Sequence, residues 1–191
     1  MNGKMYGLTD YKGQYQIVDI FGYATQGLPG IEIIGSGKCA RSIKEKIIYF
    51  TRWHGVKLPL RRYILCLDGT ELLPEKVSYT YLELPFLLIL WHLAGVLPIQ
   101  KMDDCLAFGR LSSDGSVCLP RDFRPIKLLL ESFCAATGEK VKTFLDSSAE
   151  DWPGPILPLN EILISKICIK KMGESVPTEL AAVIPMRTIL N

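Results

Sequence analysis

None of the six cysteines in this sequence, at positions 39, 66, 105, 118, 134 and 168, forms a C-x-x-C pair, and only two histidines, His54 and His92, accompany them. Zinc-ribbon and thioredoxin-type spacing is therefore missing. The cysteines fall mostly inside apolar segments and read as buried, reduced thiols of a cytoplasmic protein. No apolar run reaches the ~20 residues that cross a bilayer. The longest, LPFLLILWHLAGVL over 84–97, falls short and carries His92 within it. The N-terminus, MNGKMYGLTDYKG, has no apolar core of a secretory signal. Charge of one sign is also scarce. A net charge of +2 does not by itself imply a polyanionic partner. There is no internal repeat and no low-complexity segment. Asp103, Asp104 and Asp114 read as turn and cap residues rather than metal ligands, and the sequence implies no metal or cofactor.

What is present is core. Hydrophobic residues make up 48% of 191 residues against 22% charged, which fits a packed globular domain. The pattern predicts one domain over residues 1–171 and a C-terminal extension over 172–191. The fold class expected is α/β (α+β), a mixed sheet with helices packed on it.

Residues 1–13 read as an edge strand or a loose arm. Residues 15–24 alternate as a strand. The turn Gln26-Gly27-Leu28-Pro29-Gly30 leads into a short apolar strand, 31–34. The connection is too short for a crossover, so this strand is expected to pair antiparallel with the one before it. Gly35-Ser36-Gly37 opens a helix in which Ala40, Ile43, Ile47 and Phe50 recur at helical spacing; Ser36 or Gly37 is the expected cap, and Gly55 ends the helix. A strand follows over 61–67, then a polar loop over 68–79. The helix over 82–97 is apolar nearly all round and should be the central one. A short strand at 107–110 turns through Ser113-Asp114-Gly115-Ser116 into 117–119. A helix runs from Pro125 through Ala136, with Ile126, Leu129, Leu130 and Phe133 inward and Gly138 as its stop. Residues 140–145 read as a strand. The run DWPGPILP over 151–158 looks too rich in proline for regular structure, and a last helix is expected over 159–171.

Gly35-Ser36-Gly37-Lys38-Cys39 sits between a strand and a helix, as a phosphate-binding loop would. Such a loop needs a glycine five residues before its Gly-Lys pair and a hydroxyl just after it. Here those positions hold Glu32 and Cys39, so nucleotide hydrolysis is not expected. Anion binding at the helix N-terminus stays open beside a plain capping turn.

The denser signal is basic. Between Lys38 and Arg62 stand Lys or Arg at 38, 41, 44, 46, 52, 57, 61 and 62. Lys38, Arg41 and Lys44 are three apart and form a stripe on one helix face. Such a stripe neutralises phosphates without reading sequence. The nucleic-acid-binding candidates are Lys38, Arg41, Lys44, Arg52, Arg61 and Arg62. Tyr49, Trp53 and His54 offer stacking groups, which favours single strands. A solvated helix face is the simpler alternative, with Trp53 in the core.

Three segments, in order, resemble one family. GLPGIEIIGSGKCARSIKEKI resembles the "GLPG, strand, helix" opening of the ComM/YifB magnesium-chelatase-like competence proteins. CLDGTELLPEKVSYTYLELPFLLILWHLAGVLP resembles their second signature, and FGRLSSDGSVCLPRDFRPIKLLLESF their third. The resemblance covers residues 14 to about 170 and implies a Lon-protease-domain-like (ribosomal protein domain-2-like) fold. In that family the domain precedes an AAA+ ATPase and acts on DNA in transformation and recombination. The resemblance thus implies DNA as partner, an AAA+ ATPase supplied in trans because the sequence stops at Asn191, and a homo-oligomer; no membrane partner is expected. One loop departs from the family: where it has Gly-Gly-Arg-Phe-Asp-Leu-Pro, this chain has VSYTYLELP over 77–85. Lon-type enzymes also carry a Ser-Lys pair, and Ser78 and Lys127 are the candidates. Their surroundings read more simply as a loop serine and a surface lysine, Lys127 lying four residues before Glu131. The resemblance therefore implies a non-catalytic binding or assembly module. A Ser-Lys peptidase is the alternative.

Overall fold

The computed structural model describes residues 2–146, 151–162 and 169–171. Its framework is a seven-stranded mixed sheet. The chain begins with β1, Asn2–Tyr11, which turns at Lys12-Gly13 into β2, Gln14–Thr25. Both turn residues have positive φ, 52° and 83°. The two strands pair antiparallel from Asn2↔Tyr23 to Tyr11↔Gln14. β1 is neither an edge nor an arm. It lies between β2 and the short β5, Cys105–Leu106, with Met5 and Leu8 fully buried. Lys4, Gly7 and Thr9 break up its apolar pattern. Gly7 is needed there: a Cβ would lie 2.6 Å from Ile20 Cδ1 and 2.7 Å from Leu82 Cδ2.

The next strand, β3 (Gly30–Ile34), runs opposite to β2 but does not pair with it. β4, Arg62–Leu67, inserts between them, antiparallel to β2 and parallel to β3. The expected β2–β3 hairpin is therefore wrong in its partner. The reason is burial. β4 buries Tyr63, Ile64, Leu65 and Leu67 and belongs inside the sheet, whereas β3 leaves Glu32 and Ile34 exposed and suits an edge.

Two helices cross one face of this sheet. α1, Ala40–Trp53, follows a single 3-10 turn at Gly37–Cys39 and buries Ile43, Ile47, Phe50 and Thr51. Ser36 flanks that turn but makes no capping hydrogen bond through its side chain. α2, Glu83–Leu93, is buried along its whole length, as its unbroken apolar run requires. Trp91 Nε1–H donates to Thr51 Oγ1 at 3.0 Å, which ties α2 to α1 inside the core. The sheet's other face carries α3, Arg124–Thr137, whose Phe133 meets Tyr6 edge-on.

After β5 the chain leaves the main sheet and forms a second, three-stranded one from β6 (Arg110–Leu111), β7 (Val117–Leu119) and β10 (Ile169–Lys171). The expected strand at 107–110 is instead mostly the link between two short strands of different sheets and reaches β6 only at Arg110. The far side of the main sheet adds β8, Lys142–Leu145, and β9, Ile156–Pro158, in parallel. The proline-rich run does form a strand, because Pro155 supplies a carbonyl to Thr143 N–H at 2.9 Å and proline is tolerated at a strand end. The last expected helix holds only over α4, Leu159–Ile162; residues 163–168 of that expectation lie outside the described residues, and 169–171 are strand. The architecture is a mixed α/β fold. Among the described residues no helix is long and apolar enough to cross a membrane.

Candidate nucleic-acid interface

At about 3.6 residues per turn, the outward side of α1 is fixed by the inward positions of Ile43, Ile47 and Phe50. Arg41 and Arg52 project from that outward side, with Glu45 between them, and Lys38 is exposed on the 3-10 turn just before it. Lys44 and Lys46 fall on opposite flanks. Among the described residues, Lys38, Arg41, Arg52 and Arg61 form no ion pair. Lys44 Nζ lies 3.9 Å from Glu45 Oε1. Arg62 is engaged at the sheet edge, where its guanidinium donates to Glu32 Oε2 at 2.9 Å.

The six candidate cations therefore divide by position. Lys38, Arg41 and Lys44 cluster at the start of α1, where the helix N-terminus adds partial positive charge. Arg52 and Arg61 meet at the other end, across a groove of about 320 Å³ between α1, the start of β3 and the loop 56–61.

The aromatic residues are partly used within the fold. Tyr49 Oη–H donates to Ser113 O at 2.8 Å, and His54 Nε2 lies 2.8 Å from Gly115 O. Trp53 covers Gly115 so closely that a Cβ there would collide with the indole. Together the three side chains hold the β6–β7 hairpin against the C-terminal turn of α1. They still offer surface: Tyr49 is 45% and Trp53 48% exposed, with their rings tilted by 34° and 5.8 Å apart. Burial holds the His54 imidazole below its ordinary pKa, so at neutral pH its Nε2–H donates to Gly115.

One functional-looking group escaped the sequence reading. Glu83, at the first turn of α2, is 5% exposed. Its Oε1 accepts from Lys46 Nζ at 2.6 Å and its Oε2 from Leu111 N–H at 2.8 Å. Burial pushes its carboxyl above the usual glutamate range, against the pull of these two donors. The signal was there: an acid opening the most apolar helix is buried only when something pairs with it. Both carboxylate oxygens are occupied, so this is a clamp joining α1, α2 and β6.

Ser78 pairs through its backbone with Asp10, at the end of β1. Its Oγ lies 3.0 Å from Thr80 Oγ1 and accepts from Thr80 N–H at 3.4 Å. Lys127 is half-buried in the first turn of α3. Asp104 pairs with Lys142 at 2.9 Å, and Asp114 accepts from Ser116 N–H and Oγ–H within its turn.

No family model and no curated protein matches this chain.

Proposed function

We propose that this chain is a non-catalytic module of the ComM type, Lon-like in fold and cytoplasmic, that binds nucleic acid through α1. Single strands are the preferred ligand. The observation that carries this reading is the pairing of unneutralised cations with an exposed aromatic pair on one helix. Lys38, Arg41 and Arg52 have no acidic partner among the described residues, and the half-exposed Tyr49 and Trp53 rings lie beside the outward face. Cations hold the phosphates and ring faces stack on bases, neither of which requires a particular sequence. The Ser78 hydroxyl lies 3.0 Å from Thr80 Oγ1, as suits a loop serine. An AAA+ ATPase in trans and self-association are the protein partners this reading implies.

The test is fluorescence anisotropy with labelled oligo-dT and a duplex of equal length across a salt series. Three to four phosphate contacts give a slope of log affinity on log salt of about −2 to −3 for the single strand. The variant Lys38→Glu/Arg41→Glu/Lys44→Glu should abolish binding while leaving the fold intact. Absence of binding at low salt, or binding that ignores this variant, refutes the proposal.

A further inference from the structure

One end of the main sheet is blunted and the other is not. At the far end β9 is three residues long and stops at Pro158. At the near end β3 offers five residues and, among the described residues, no neighbour on its outer side. The direction of its hydrogen bonds follows from one contact. Gly30 N–H donates to Arg61 O at 3.1 Å, and in a parallel ladder alternate residues share an orientation. Glu32 and Ile34 therefore also face β4. Ile31 and Ile33 turn their N–H and C=O groups outward. That is a row of two donors and two acceptors, spaced for another strand.

Next to this edge lies the groove between α1 and the loop 56–61. Its wall is apolar, built from Ile31, Ile48, Val56, Leu58 and Leu60, and Leu60 is 85% exposed. Leu28, on the turn leading into β3, is 90% exposed. The same groove holds Arg52 and Arg61, neither of which has an ion-pair partner among the described residues. The acid nearest the edge, Glu32, is already neutralised by Arg62 at 2.9 Å. The site thus combines an open strand edge, an apolar slot on one side of it and two uncompensated positive charges.

We infer that the β3 edge is a docking site for an extended acidic-apolar peptide of a partner protein, which adds as an eighth strand. Its main chain bonds to Ile31 and Ile33. Every second side chain lies over the groove, an apolar one against its wall and acidic ones on either side of it against Arg52 and Arg61. Backbone pairing supplies the attachment, and the groove with its arginines supplies the selectivity. A second copy of β3 would bring no free carboxylate to Arg52 and Arg61, since its own acid, Glu32, is already paired with Arg62.

The experiment uses the full chain and the synthetic peptide Thr-Asp-Thr-Val-Thr-Asp-Thr, blocked at both ends, which turns its valine and both aspartates to one face. Amide hydrogen exchange is followed by NMR at Ile31 and Ile33. At saturating peptide, exchange at both amides should slow by about tenfold or more, as for newly paired strand amides. A peptide with proline in place of its central valine should not bind. Arg61→Glu should weaken the acidic peptide about threefold to fivefold, and a peptide with lysines in place of its two aspartates should recover the loss in that variant. The variant Lys38→Glu/Arg41→Glu/Lys44→Glu should bind the peptide unchanged, so failure here and failure of nucleic-acid binding are separate results. Unchanged exchange at Ile31 and Ile33, or equal binding of the proline peptide, overturns the inference. So does protection already present without peptide: concentration-dependent protection assigns the edge to a second copy, and concentration-independent protection to the chain itself. Protection of the same amides by oligo-dT would give the edge to nucleic acid instead.

Discussion

Removing the Glu83 carboxylate tests whether the buried clamp holds the helices to the second sheet. In Glu83→Ala, the Leu111 N–H, on a residue only 3% exposed, loses its acceptor. An unpaired buried donor costs about 1–3 kcal/mol. The lost pair with Lys46 contributes less, about 0–1 kcal/mol, because the Lys46 side chain is 41% exposed and returns to water. Relief from burying a charge offsets part of this. The net expectation is a loss of about 2 kcal/mol at pH 7, read from urea unfolding. Glu83→Gln keeps one acceptor for two donors and should lose about 1 kcal/mol. The pH dependence is sharper still. Because burial raises the Glu83 carboxyl above its ordinary 4.5, its contribution is fully present below that value and is lost as pH rises through the folded-state value. The gap between wild type and Glu83→Gln should therefore narrow as pH is raised from 4.5. A loss under about 0.5 kcal/mol for Glu83→Ala would refute the clamp, and a gap that widens with pH would show that the donors from Lys46 and Leu111 outweigh burial at this carboxyl.

Two further predictions concern the hairpin held by α1. Gly115→Ala places a Cβ against the Trp53 indole at a φ of +74°, so it should destabilise by about 1–3 kcal/mol and change the Trp53 emission; a neutral effect on both would show that the hairpin does not rest on Trp53. The His54 imidazole, held neutral by burial, should titrate below 6.5 by NMR. The stability it contributes is present above 6.5 and is lost as pH falls through the folded value; a midpoint above 6.5 would show that the hydrogen bond to Gly115 outweighs burial.

The helices were legible from the sequence because their information is local. The spacing of Ile43, Ile47 and Phe50 marked α1, Gly138 marked the end of α3, and the unbroken run after Glu83 marked the central helix. The Asp-Gly turn between β6 and β7 was legible for the same reason. The basic residues of α1 could be named, and their exposure follows from the helix period.

The partners of the strands were decided elsewhere. Strand pairing depends on which segments bury both faces, and that is a comparison across the whole chain. β4 displaced β3 from β2 because its apolar residues needed cover on both sides. The same comparison set β1 in the middle of the sheet despite its glycines and its lysine. Charge followed the same rule. The sequence listed eight cations in one run, but only the packing determined that Lys46 serves the buried Glu83, Arg62 serves Glu32, and Lys38, Arg41, Arg52 and Arg61 face outward without an ion pair among the described residues. Local periodicity determines which side of a helix is wet. Which wet charges are left to bind something else depends on neighbours brought from tens of residues away, and that is a property of the tertiary structure.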